Sequence, residues 1–122
     1  MWTYEQATGR LLDKNGKHVA TGYSGTPQYK NNPDSQELKA QGVCPRGIYD
    51  LDAPHKSART GPYVMNMVPR PENQMFGRYA FQIHGDSIKA AGTASNGCLV
   101  FARNIREMIW NSGDHTVEVV RG

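Results

Sequence analysis

The chain has 122 residues, with 14 Lys and Arg against 11 Asp and Glu (formal charge +3), 38% hydrophobic and 20% charged. That length fits one domain, at roughly 150 residues per domain, and the composition excludes wholesale disorder. Thirteen Gly and seven Pro disfavour a helix bundle, because each interrupts helical periodicity.

In chain order, Leu11-Leu12 leads into Asp13-Lys14-Asn15-Gly16, where Asn-Gly signals a tight turn, and Lys17 to Tyr23 alternates loosely at period two. This predicts a β-hairpin. Asn32-Pro33-Asp34-Ser35 predicts a short helix, with Asn32 as cap, Pro33 at its first position, Gln36 to Ala40 continuing it and Gly42 beyond. Strands are predicted over 47–51, 63–68, 81–84, 99–101 and 116–120. Ile105, Met108 and Ile109 fall on one face of a second helix, with Asn104 as cap, Glu107 three residues on, and Gly113 as stop. Trp2, Phe76 and Trp110 are expected in the core. The order is mainly β with two short helices, and residues 1–122 read as one unit.

Several function classes drop out. No apolar run approaches the ~20 residues that span a bilayer. The first six residues show neither a basic nor an apolar signal region, so no signal peptide is expected. The basic residues form no block or aromatic-interleaved stripe, so nucleic acid is not an expected partner. Two Cys do not make a disulfide framework, and free thiols fit better. His18, His55, His84 and His115 with Cys44 and Cys98 show no metal-ligand spacing, so no metal or other cofactor is expected. There is no phosphate-binding glycine loop and no Gly-x-Ser-x-Gly elbow.

The segment 81–101 carries the chemistry. His84 ends one apolar run and Cys98 begins another; neighbouring strands would bring an imidazole to a thiol, the usual way to generate a thiolate nucleophile. Gly85 and Gly97 let a substrate backbone approach, and the N–H groups of Gly97 and Cys98 are candidates for an oxyanion hole. On residue pattern alone, a buried structural Cys98 and an ordinary strand-end His84 explain the same residues.

His84-Gly85 followed by Ser95-Asn96-Gly97-Cys98 resembles the YkuD-type L,D-transpeptidase signature H-G…[S/T]-H-G-C. The chain resembles more closely the small type VI secretion L,D-transpeptidase effectors. Their pattern is matched by Trp2 to Gly9, Val19 to Gly25, Pro45 to Tyr49, Arg59 to Val64, Met75 to Ser87 and Gly92 to Cys98. The resemblance implies a YkuD-like β-sandwich or barrel as one catalytic domain over 1–122, with Cys98 as nucleophile and His84 as general base. It implies that Gly97, Ser95, Gly85 and Asp86 shape the site, Asp86 being equally suited to capping backbone N–H groups. Tyr23, Tyr63, Arg78 and Asn96 are weaker candidates for the substrate groove, where Arg grips carboxylates. Asn96 stands where the broader signature has His, and Val100 where those enzymes often have Arg.

The resemblance further implies an antibacterial toxin that acts on peptidoglycan stem peptides in the periplasm of target bacteria. A type VI delivery protein and a cognate immunity protein would be its partners. The rivals are an NlpC/P60- or papain-like cysteine peptidase built on Cys44, and a non-catalytic wall-binding module. Pro45 counts against the first, because it disfavours helical geometry at Cys44 and removes an N–H.

Overall fold

Asp13 builds the first turn: its carboxylate accepts the N–H groups of Asn15 and Lys17 at 2.9 and 3.0 Å, and Gly16 takes a left-handed conformation. A computed structural model, which describes all residues 1–122, places β2 (Arg10–Leu12) and β3 (His18–Thr21) either side of this turn. The hairpin is continued by β1 (Trp2–Glu5), antiparallel to β2. β1 then runs parallel to the last strand, β9 (Thr116–Val120), so the two chain ends pair.

β9 pairs with β4 (Gly47–Leu51), β4 with β6 (Gly61–Pro69), and β6 with β7 (Gln82–His84). β7 pairs in parallel with β8 (Leu99–Val100), and β5 (His55–Ser57) folds back on β6 off the main path. The result is one domain built on an open, mixed, nine-stranded sheet, ordered β3-β2-β1-β9-β4-β6-β7-β8. A bridge between Tyr23 and Val100 ties the chain just past β3 to β8, joining the two ends of that order.

The alternation predicted for β9 is seen in its burial, Val117 and Val119 inward. They join Tyr4, Leu11, Tyr49, Met65, Ile83 and Leu99 in one apolar cluster. Tyr4 meets Phe101 edge to face at 5.9 Å, a favoured aromatic geometry. α1 (Arg103–Asn111) seals the cluster with Ile109, while Ile105 and Trp110 pack against its margin. No helix is long and apolar enough to cross a membrane.

The structure corrects four local expectations. Only a 3-10 turn, Pro33–Ser35, forms where a helix was predicted to reach Ala40. Asn32 caps it as expected, but the Ser35 hydroxyl donates to the Asn32 carbonyl and accepts the Val43 N–H. Such side-chain bonds compete with the helical ladder, and Ala40 turns left-handed. α1 starts at Arg103, with Ala102 rather than Asn104 at its cap, because the Ala102 carbonyl accepts from both Ile105 and Arg106. Met108 is 37% exposed rather than on the core face, and Phe76 is only half-buried and outside the core cluster.

Gly22 lets the Tyr23–Val100 bridge form: a Cβ there would lie 2.0 Å from the Val100 carbonyl oxygen and 2.8 Å from the Phe101 ring. Backbone oxygen cannot rotate away as a side chain does. Gly22→Ala is expected to cost about 2 kcal/mol, as overpacked sites do, read as a lower urea midpoint at unchanged slope.

Candidate active site

Parallel pairing sets Ile83 opposite Leu99 and His84 opposite Val100, which puts Cys98, just before β8, level with Gln82. The Gln82 N–H donates to Cys98 Sγ at 3.3 Å. Side chains two residues apart share a face and are spaced by roughly 6.6 Å along a strand. His84 and Cys98 are therefore diagonal neighbours on one face, and both line a cavity of about 400 Å³. The two strands run in the same direction, so the two side chains stand diagonally across the sheet face rather than at a hairpin mouth.

His84 Nδ1 lies 2.8 Å from the Gly85 carbonyl. A carbonyl only accepts, so in the neutral ring Nδ1 carries the proton and Nε2 keeps its lone pair. Burial lowers the His84 pKa from its ordinary 6.5; the Gly85 carbonyl opposes this, and the charges of Arg106 and Arg59 add to it. Burial raises the Cys98 thiol above its ordinary 9.0, against the Gln82 N–H, Arg59 and Arg78, which favour the thiolate. The resting pair at neutral pH is thiol and imidazole, both uncharged. A base in this state is ready to take the thiol proton during attack.

The loop before Cys98 is held by two buried serines. Ser95 Oγ donates to the Cys98 carbonyl at 2.7 Å and accepts the N–H groups of Gly97 and Gly25 at 3.0 Å each. Ser24 Oγ donates to the Gly97 carbonyl and accepts the Cys44 N–H, both at 2.8 Å. Gly97 has φ +140°, and a Cβ there would lie 2.5 Å from Arg78 and 2.9 Å from Phe81. Its N–H is consumed by Ser95, which corrects the expectation that Gly97 donates to an oxyanion. The Cys98 N–H makes no hydrogen bond to another residue and remains for that role.

Asp86 shapes the loop that follows His84. It accepts the Tyr23 hydroxyl at 2.6 Å and the N–H groups of Ser87 and Gly92. Burial works against its charge, but these hydrogen bonds outweigh it and hold the carboxyl below its ordinary value. Tyr23 also accepts the Ala94 N–H, so it braces the loop and lines neither main cavity. Tyr63 is likewise outside both cavities, its ring under the Arg103 guanidinium at 4.7 Å. Asn96 does line the Cys98 cavity, with a side-chain amide free of hydrogen bonds; its carbonyl accepts from Arg78.

Arg78 borders the cavity too, but its guanidinium is spent. It donates to the carbonyls of Gln36, Val43, Gly42 and Asn96 at 2.7–3.2 Å and is 7% exposed. Arg106 plays the same part from α1, donating to Phe101, Pro62 and Tyr63. Sequence reading missed Ser24, Gln82, Arg59 and Arg106. Gln82 had a signal: the Phe81-Gln82-Ile83-His84 alternation puts it on the His84 face. Ser24 and Arg106 had none, because their partners are backbone carbonyls and N–H groups remote in sequence.

Cys44 is wholly buried and free of any disulfide. Burial pushes its thiol up to about 12, and both the burial and the retained proton count against the Cys44-based peptidase rival.

Residues 18–121 match the family model described as the Tlde1 domain. The chain belongs to this type VI secretion L,D-transpeptidase effector family. No curated protein and no solved structure matches it significantly. Residues 1–17 precede the match yet supply β1 and β2 of the same sheet.

Two outcomes check this geometry. Arg78→Met leaves four carbonyls without a donor and is expected to cost on the order of 3 kcal/mol, from unsatisfied buried acceptors, in urea unfolding. Iodoacetamide should label Cys98 and spare Cys44 until the chain unfolds. A raised thiol pKa keeps the proton on at pH 7, so Cys98 labelling should still climb through pH 9; a plateau below pH 7 would reveal a preformed thiolate–imidazolium pair.

Proposed function

We propose that this Tlde1-family protein is a cysteine enzyme that removes the terminal D-Ala from tetrapeptide stems of peptidoglycan. The observation that carries the proposal is the placement of Cys98 and His84 as diagonal neighbours on one face of β7/β8, lining one cavity, with His84 Nε2 left basic by the Nδ1–Gly85 contact. Nε2 takes the thiol proton as Sγ attacks the amide carbonyl of the third stem residue, meso-diaminopimelate in most Gram-negative walls. The Cys98 N–H faces the developing oxyanion. The protonated imidazole then gives its proton to the departing amine, and a thioester remains on Sγ. Water resolves the thioester to a tripeptide; a D-amino acid resolves it to an exchanged tetrapeptide; a second stem gives a 3–3 crosslink.

A cavity of about 400 Å³ fits a single peptide end better than two stems. Carboxypeptidase action and exchange therefore dominate over crosslinking. Loss of the donor D-Ala depletes crosslinking substrates, which suits an antibacterial effector delivered by type VI secretion into a target periplasm. The producing cell then needs an immunity protein.

Mass spectrometry of tetrapeptide muropeptides after incubation is expected to show mainly tripeptides, exchange when a D-amino acid is added, and few 3–3 dimers. Cys98→Ala should abolish turnover with the fold intact, and His84→Ala should lower it by roughly 10²–10⁴-fold. Since His84 must be neutral to act and its pKa lies below 6.5, kcat/KM should fall only as pH drops below that value. Full activity in Cys98→Ala, or 3–3 dimers as the main product, would overturn the proposal.

A further inference from the structure

Three cations act on the Cys98–His84 pair: Arg59, Arg78 and Arg106. Arg78 and Arg106 have their guanidinium groups occupied by backbone carbonyls. Arg59 does not. Its side chain takes part in none of the five ion pairs and donates no hydrogen bond. It lines the Cys98 cavity and also a second cavity of about 540 Å³ beyond it, so it stands on the wall between them.

The backbone around Arg59 is fixed to the site. The N–H groups of Arg59 and Thr60 donate to Ser57 Oγ at 3.3 and 3.1 Å, closing the turn between β5 and β6. Thr60 Oγ1 donates to Gln82 Oε1 at 3.0 Å, and the Gln82 N–H is the group that meets Cys98 Sγ. The turn is therefore tethered to the strand that carries His84. An unpaired guanidinium on an anchored turn beside a nucleophile matches an anion subsite, because the planar fork fits a carboxylate with two parallel hydrogen bonds.

The chemistry proposed above says which carboxylate. His84 hands its proton to the departing amine, so that nitrogen lies against His84. In an amino-acid leaving group the carboxylate is one carbon from the nitrogen. Lys39, the remaining cation of this cavity, lies over Gly77, its Nζ 3.3 Å from where a Cβ would stand there.

Building on that reaction, we propose that Arg59 binds the terminal α-carboxylate of the leaving D-amino acid and of the D-amino acid that replaces it in exchange. Arg59 thereby makes the enzyme specific for a free chain end. An internal peptide bond offers an amide where the carboxylate should sit, and is passed over.

The test compares two electrophiles on the intact protein, iodoacetate, which carries a carboxylate, and iodoacetamide, which does not. The ratio of their Cys98 alkylation rates is expected to fall about tenfold in Arg59→Ala and to recover in part in Arg59→Lys, which keeps the charge without the fork. Taking the ratio cancels any change in thiol acidity. In parallel, wild type should cleave a tetrapeptide stem at least tenfold better than its C-terminal amide, and Arg59→Ala should cleave the two alike, through a higher KM for the acid. An unchanged alkylation ratio overturns the anion subsite whether or not stems are cleaved. A lowered ratio with equal wild-type cleavage of acid and amide overturns its assignment to the chain end. No cleavage of either stem sinks the carboxypeptidase function and the D-amino-acid ligand with it, while the ratio still decides the anion subsite.

Discussion

Two buried arginines without a carboxylate partner hold the site together. Arg78 and Arg106 each keep their charge inside the protein by donating to several backbone carbonyls. Taking a guanidinium out of water is costly unless its N–H groups are satisfied, and here main-chain oxygen does this in place of an anion. The consequence is structural: loops distant in sequence are fastened to one point. Arg78 joins the segments at 36, 42–43 and 96 beside Cys98; Arg106 joins α1 to the start of β6 and the end of β8 beside His84. Burial lowers the pKa of both groups, yet each guanidinium remains a cation at physiological pH.

The same positive surroundings set the character of Cys98 and His84. Arg106 and Arg59 work with burial to keep His84 uncharged, and burial keeps the Cys98 thiol protonated. A neutral thiol beside a neutral imidazole differs from a standing thiolate–imidazolium pair, because the sulfur is the weaker nucleophile until its proton is taken. The tether from Thr60 through Gln82 to Cys98 makes the β5–β6 turn part of this arrangement and fixes the backbone at Arg59.

Much of the fold was legible in local sequence. The Asn-Gly turn, the alternation in 116–120 and the apolar pairs of α1 each follow from short-range rules. β1 and β5 were not, since β1 gains its place from pairing with β9 over a hundred residues away, and β5 is three residues long with an irregular register. The shortened turn at Pro33–Ser35 shows tertiary bonds from Val43 overriding a reasonable helix signal. Of the candidate site residues, His84, Cys98 and Asn96 come together at one cavity, with Gly97 and Ser95 directly supporting Cys98. Asp86 and Tyr23 brace a loop, and Tyr63 belongs elsewhere.

Sequence by itself determined the residue types available for chemistry, one thiol and one imidazole in glycine-flanked strand ends, and the family pattern in which they occur. Tertiary structure alone decided which groups remain free. Cys44 and Cys98 differ little as letters, but only Cys98 opens to the cavity. Arg59, Arg78 and Arg106 are the same residue in sequence, and their fates diverge because two meet buried carbonyls and one does not. Whether a polar group is spent or available depends on partners brought from distant parts of the chain, and no local pattern encodes that.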